Sequence, residues 1–508
     1  MIEESWSRRA VLGAAGSAAL LASARAGAAV ERQMVNVDLR RSAGALDHIW
    51  SKCVGSDRAA ITLREQWRSD LRRFHAETGT ERVRFHGIFA DELGVYAPSI
   101  LSQRKVPNWQ NVDQVYDGLL DIGVQPFVEL SFMPQRLASG TSKFGFYGAN
   151  TSLPTSLDDW AQFIRSFATH LVERYGAAEV RQWNFEVWNE PNLRFFFSGS
   201  QAQYFDFYKA TALALKGVDP GLKVGGPSTS QVAWIPEFLA YCQSNNAPID
   251  FVSTHVYAGD DQKVLFGRPS NLPQNDVIPA AIAQVRSQID ASAFKGRPLW
   301  ISEWSSDSPA MIAHVVTKSM PHCQAMSQWV ASGAYEELGV ADYVMKEGDA
   351  GWSMMASRGI PRPAFNTYKL MHRLGRERVQ ADDGPVLATR RADGSHAVLV
   401  WNLAEVEQPS GIPGASSKRN VVGSYRTISL RLAGVRRGAP AKVTFVDQER
   451  GSAMPAWRAM GAPQYPTRQQ LTRLRQAAEL PPPQAVHVGA GGILDLQLPP
   501  EGVALVEI

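Results

Sequence analysis

Cysteine is scarce in this chain: Cys53, Cys242 and Cys323 are the only three in 508 residues. An odd, widely spaced set argues against a disulfide framework and a metal knuckle, and predicts buried apolar thiols instead. An excess of one charge is missing too. Lys and Arg number 52 against 49 Asp and Glu, a formal balance of +3. With no long basic run, nucleic acid is not an expected partner. Long hydrophobic runs are also lacking. The apolar stretch near the N-terminus is too short to span a bilayer comfortably, and no other run is longer, so no stable membrane association is expected.

That N-terminal stretch has another reading. Ser7-Arg8-Arg9-Ala10-Val11-Leu12 precedes an Ala/Leu/Gly segment and then Ala24-Arg25-Ala26-Gly27-Ala28. Paired arginines, a short apolar core and small residues suited to cleavage resemble a bacterial twin-arginine export signal over residues 1–29. The expected destination is the periplasm or the medium. Such signals carry folded proteins, which agrees with a chain that has no disulfide plan.

What is present is ordinary globular composition, 44% hydrophobic and 20% charged, with a strand–helix alternation repeated about eight times. Strand-like runs fall at Asp47–Val54, Arg82–Phe89, Gln125–Phe132, Gln182–Trp188, Lys223–Gly226, Asp250–Tyr257, Pro298–Trp304 and Ala325–Ala331. Between them, Leu63–Glu77, Val112–Ile122, Leu157–Tyr175, Tyr204–Val218 and Val277–Ile289 place apolar residues at three-to-four spacing, the mark of amphipathic helices. The repeat predicts an α/β fold, a (β/α)8 TIM barrel over residues 46–378. An open doubly wound sheet is the alternative, but no Gly-x-Gly-x-x-Gly turn follows an early strand. From residue 379 to 508 the texture changes to short alternating runs between Pro/Gly/Ser-rich turns, as in a β-sandwich. Gln33–Leu39 alternates in the same way, and residues 30–45 are expected to add a strand to that sandwich.

The chemistry gathers at two strand ends. Trp183-Asn184-Phe185-Glu186-Val187-Trp188 runs into Asn189-Glu190-Pro191, and Pro298-Leu299-Trp300-Ile301-Ser302 runs into Glu303-Trp304. Barrel active sites are built at the C-terminal ends of the strands. Two carboxylates there suit cleavage of a glycosidic bond, one protonating the leaving oxygen and one attacking the sugar carbon. Glu190 and Glu303 are therefore the candidate catalytic pair. His255 and Tyr257, two apart on one strand, share a face. His86 ends the second strand-like segment. Glu186, inside its strand, reads as structural, and Glu129 is left open. Most of the fourteen tryptophans belong in the core, with Trp188 and Trp304 flanking the pair and Trp329 a candidate floor under a sugar ring.

After the signal, the whole chain resembles glycoside hydrolase family 39, and especially its bacterial β-xylosidases. The residues that carry the likeness are Val187-Trp188-Asn189-Glu190-Pro191-Asn192-Leu193, Phe127-Val128-Glu129-Leu130-Ser131-Phe132-Met133-Pro134, Lys223-Val224-Gly225-Gly226-Pro227 and Asp250-Phe251-Val252-Ser253-Thr254-His255-Val256-Tyr257. It continues through Thr389-Arg390-Arg391-Ala392-Asp393-Gly394-Ser395 and Met460-Gly461-Ala462-Pro463-Gln464-Tyr465-Pro466. The resemblance implies a retaining mechanism with Glu190 as acid/base and Glu303 as nucleophile, with Tyr257 bonded to Glu303. It further implies that His255 and Tyr257 flank Glu303 in the substrate site and that the segment holding Glu336 and Glu337 contacts substrate hydroxyls, while Asn189 is expected to donate to the sugar 2-hydroxyl and His86 is a candidate for a hydroxyl contact. Neither cofactor nor metal is implied, and the expected substrate is a xylo-oligosaccharide. In one respect the chain departs from the family, whose xylosidases often carry a tyrosine shortly after the nucleophile. Here Ser305-Ser306-Asp307-Ser308 follows, which leaves the preferred sugar open to α-L-iduronidase-like or arabinosidase-like alternatives. A carbohydrate-binding barrel without catalysis is the reading from another class, and oligomeric state is not legible.

Overall fold

The computed structural model describes residues 31–96, 106–145, 147–334, 353–407 and 420–508. Residues 1–29, expected to be an export signal, and the pair Glu336 and Glu337 lie outside the described residues. The first described strand, β1 (Glu31–Ala45), joins a sheet completed much later in the chain. Eight parallel strands then close on themselves in sequence order. They are β2 (Val54–Arg58), β3 (Arg82–His86), β4 (Gln125–Glu129), β5 (Asn184–Glu186), β6 (Lys223–Thr229), β7 (Phe251–His255), β8 (Leu299–Trp304) and β9 (Ala325–Gln328).

Helices cover the outside, and their sequences show why they form. The helix Leu157–Tyr175 has Ser156 as its cap, the side chain accepting from the Asp159 amide, and Asp158 and Asp159 in the first turn. Both features satisfy or complement the exposed amides of a helix start. Trp160, Phe163, Ile164, Phe167 and Leu171 all turn inward at that spacing. Each fully buried side chain of that size contributes roughly 1.5–3 kcal/mol.

Two features differ from the sequence reading. The first barrel strand is Val54–Arg58, whereas the apolar run at 47–54 forms a 3-10 turn at Ile49–Ser51. Trp50 in that turn is fully buried and stacks on His48 at 4.4 Å. The true strand, Val-Gly-Ser-Asp-Arg, looks like a loop, yet every residue in it is buried. Its polar groups find partners inside: Ser56 accepts from the Trp67 indole at 2.7 Å, and Arg58 pairs with Asp57 and Glu92. In addition, the helices Ile235–Ser244, Pro309–Ser319 and Pro363–His372 were not legible. All three open with proline in the first turn, a position where the missing N–H costs nothing.

The remaining strands are β10 (Glu377–Ala381), β11 (Val386–Arg390), β12 (His396–Trp401), β13 (Arg426–Ala433), β14 (Pro440–Val446), β15 (Gln484–His487), β16 (Ile493–Leu498) and β17 (Val503–Glu507). With β1 they form one nine-stranded sheet in the order β15-β14-β17-β12-β11-β10-β1-β13-β16. Only β1 and β13 run parallel. Val443 near one end of the sheet and Leu494 and Leu496 at the other share one apolar cluster with Val35, Val37, Val398 and Val506. The sheet is thus rolled on itself into two layers. Alternation decides the rest: Val398 and Val400 face that cluster, while Ala397, Leu399 and Trp401 join the barrel core. Both faces of β12 are buried, so the barrel and the sandwich share a strand's worth of core.

The three cysteines are free and buried. Burial pushes the thiols of Cys53 and Cys242 up to about 12, which makes them inert.

Candidate active site

One guanidinium organises the open end of the barrel. Arg84, on the inner face of β3 and fully buried, donates to Glu186 at 2.6 Å, to Glu303 at 2.7 Å and to the Asn189 carbonyl oxygen at 2.9 Å. Its Nη2 also lies 2.8 Å from a Glu129 oxygen. A guanidinium offers five donors in a rigid fork, and here four polar side chains lie within 3 Å of it. Because Arg84 can only donate, it fixes the Asn189 amide with its oxygen inward and its NH2 turned the other way. Sequence reasoning missed Arg84. The signal was present in Arg84-Phe85-His86, where a spacing of two puts the arginine on the same inner face as the histidine.

Each strand end adds one group. His86 closes β3, and its Nδ1 meets Glu129 Oε2 at 2.6 Å. Glu129 closes β4 and accepts the Ser131 hydroxyl, which in turn accepts the Gly87 amide at 3.0 Å. Glu186 closes β5. Burial alone would raise its carboxyl, but the Arg84 charge overrides this and holds it below the ordinary value. Beyond β5 the chain leaves the sheet through Trp188 and Glu190, both at positive φ, 71° and 42°. The Glu190 amide is tied to the Ser228 carbonyl at 2.8 Å. The fold thus positions the Glu190 carboxyl by its backbone as well as by its side chain.

The four groups His255, Tyr257, Glu190 and Glu303 converge. His255 Nδ1 lies 3.0 Å from Glu190 Oε1 and 3.6 Å from Glu303 Oε2. The Tyr257 hydroxyl donates to Glu303 Oε2 at 2.8 Å. Ligand atoms of Glu190, His255 and Glu303 all fall within 4.8 Å of one another. For a cation, that spacing is unhelpful, because the Glu303 oxygens already face a guanidinium and a phenol. Burial pushes the Glu303 carboxyl upward and Glu190 pushes it the same way, against the pull of His255 and Arg84. Burial pushes the His255 imidazole down to about 4.

Trp329, just past β9, packs against this cluster. Its ring lies 4.7 Å from that of His86 and packs with Tyr257 and Val330. Gly55 of β2 makes room for it: a Cβ there would sit 2.6 Å from the indole. Trp188 lies behind the site, bonded to the Phe196 carbonyl and packed on Phe132, Phe197 and Phe207. Trp304 is fully buried. Of the residues singled out in the sequence, Glu190, Glu303, Asn189, His255, Tyr257, His86 and Trp329 thus meet at one barrel end.

Two carboxylates a few ångströms apart, in a buried polar pocket at the mouth of a parallel barrel, are the equipment of a glycosidase, and the molecule is one. Residues 33–490 match the sequence pattern of glycosyl hydrolases family 39. A β-xylosidase of Caldicellulosiruptor saccharolyticus is 33% identical over 471 residues, covering 88% of this chain and 91% of that one. The crystal structure of a monomeric β-xylosidase from Caulobacter crescentus CB15 superposes with a TM-score of 0.82 at 33% identity, covering 94% of this chain and 99% of that one. More distant is the α-L-iduronidase of Mus musculus, 24% identical over 471 residues, 80% of this chain and 69% of that one. The chain belongs to glycoside hydrolase family 39. Its substrate is a carbohydrate, and among the described residues no helix is long and apolar enough to cross a membrane.

Proposed function

We propose that the enzyme is an exo-acting β-xylosidase that releases xylose from xylo-oligosaccharides with retention of configuration. The observation that carries this reading is the short reach between Glu190 and Glu303, whose oxygens lie within 4.8 Å. Retaining enzymes hold their carboxyl groups about 5–5.5 Å apart, whereas inverting ones leave about 6.5–9.5 Å for a water. Glu303 is the nucleophile. It receives both the Arg84 guanidinium and the Tyr257 hydroxyl, so the single negative charge of the pair belongs there. The proton belongs on Glu190.

In the first step a Glu303 oxygen bonds to the anomeric carbon as the bond to the leaving oxygen breaks, and Glu190 gives that oxygen its proton. The ester so formed carries no charge at Glu303, which lets Glu190 act as base. It takes a proton from water, whose oxygen attacks the same carbon and frees the Glu303 carboxylate. Asn189, its NH2 turned away from Arg84, donates to the sugar 2-hydroxyl, and His86 and Trp329 hold the ring.

Glu190→Ala is expected to slow aryl xylosides with poor leaving groups by about 10³-fold while activated ones lose far less in the first step. A Brønsted plot over a series of aryl xylosides measures this. Equal losses across the series would remove the acid role.

A uronate substrate needs a spare cation. Arg84 is bonded to three carboxylates, and Arg58 at the end of β2 is held by Asp57 and Glu92, so an iduronidase-like specificity is the weaker reading. A panel of nitrophenyl glycosides compares xyloside, arabinoside and uronate directly. For location, the paired arginines Arg8 and Arg9 support export by a twin-arginine route. Arg8→Lys with Arg9→Lys is expected to keep the protein in the cytoplasm, and cell fractionation reads the outcome; unchanged export would reject it.

A further inference from the structure

Ser228 sits where no catalytic reading put it. It is fully buried near the end of β6, with φ +55°. Its carbonyl accepts the Glu190 amide at 2.8 Å. Its hydroxyl lies 3.4 Å from Arg84 Nη2 and 3.3 Å from His255 Nε2. These contacts leave the Ser228 hydroxyl hydrogen able to turn to His255. Arg84 can only donate, so the Ser228 oxygen faces it with a lone pair. With its hydrogen turned to His255 Nε2, the hydroxyl satisfies both neighbours. A neutral imidazole that accepts at Nε2 must carry its proton on Nδ1.

We infer that Ser228 is a positioning residue: it holds His255 as the Nδ1–H tautomer, so that one N–H serves the two catalytic carboxylates in turn. The ring stands between the two, Nδ1 hydrogen-bonded to Glu190 at 3.0 Å and at a longer, electrostatic 3.6 Å from Glu303. At rest the charge is on Glu303. In the glycosyl-enzyme that oxygen is esterified and the charge is on Glu190. A donor within reach of both meets the charge in either place without moving. Burial keeps the ring uncharged at neutral pH, its pKa being pushed down to about 4. The charged groups that face it are Glu303, Arg84, Glu186 and Glu129, with Glu190 in direct contact.

The inference rests on the carboxylate roles given above and deepens them. Two measurements test it. In the wild-type enzyme labelled with ¹⁵N-histidine, and with the His255 signals assigned by their loss in His255→Gln, Nδ1 is expected to carry the proton and Nε2 none. The reverse pattern overturns the inference whatever any variant does. In Ser228→Ala the ring loses the hydroxyl that fixes its tautomer and orientation, and with it the reliable donor to both carboxylates. Their charged forms lose support, so both limbs of the kcat/KM–pH profile move to higher pH by about half a unit or more, and kcat/KM falls roughly tenfold. Ser228→Cys, with a weak S–H donor, recovers part of the shift. A lower rate with both limbs unmoved, or moved downward, means a purely structural role and rejects the inference. A wild-type enzyme inert on every aryl glycoside would instead reject the catalytic reading itself.

Discussion

Glu303→Ala is expected to lose about 10⁵-fold in kcat on an aryl β-xyloside, near 7 kcal/mol of barrier. The alanine leaves a small cavity where the carboxylate stood, beside the Arg84 and Tyr257 donors that served it. An anion can occupy that space. Azide is therefore expected to restore turnover of an activated substrate and to yield the glycosyl azide of inverted configuration. The same anion given to Glu190→Ala arrives at the other face, on the glycosyl-enzyme, and yields retained configuration. The two products, separated by their anomeric coupling constants, assign the roles independently of rate. Full activity in Glu303→Ala, or a product of retained configuration from it, would reverse or remove the nucleophile assignment.

The second large effect belongs to Arg84. Replacing it by methionine keeps the bulk but removes the cation from among Glu129, Glu186 and Glu303. Removing one partner of a buried ionic cluster costs about 3–5 kcal/mol, because the other charges stay behind unpaired. A fall in Tm of roughly 3–5 °C at neutral pH is expected. The sign with pH follows from Glu186. In the native enzyme its carboxyl titrates below the usual 4.5, so its pairing contributes stability above that value and the contribution fades as pH falls through the folded pKa. Without Arg84 the stranded carboxylates are relieved by protonation, so the deficit in Tm shrinks toward acidic pH. Glu303 also loses its counter-charge, and the acidic limb of activity moves to higher pH. An Arg84→Met enzyme with wild-type Tm and profile would show that the cluster is not held as described.

The sequence disclosed the elements in proportion to how much their burial depended on apolar periodicity. The helix Leu157–Tyr175 was legible to the residue because its inward positions repeat without interruption. The strand Val54–Arg58 was not, because Gly55, Ser56, Asp57 and Arg58 look soluble one at a time and become burial-compatible only through partners on other strands. The proline-led helices were hidden for a related reason: proline at a helix start has the same appearance as proline in a turn. At the active site the glutamates were legible because each follows an aromatic strand and stops at a strand end. Arg84 was not, since a charged residue within a strand is ordinarily solvent-facing. Its burial follows from four close acceptors supplied by β4, β5, β8 and the segment after β5, with Ser228 of β6 a more distant fifth, a convergence that only the closed barrel creates. Ser228 is subtler still, because its role depends on which way a hydroxyl hydrogen points.

The place of β1 has a consequence for biosynthesis. This strand leaves the ribosome before any barrel strand, yet its neighbours in the sheet are β10, which follows the entire barrel, and β13, later still. Until those segments emerge, Val35, Val37 and Leu39 have no apolar surface to meet, and an unpaired edge of this kind invites association with other chains. The sandwich therefore closes only after translation has nearly ended, and β1 stays unpaired for as long as the barrel is being made.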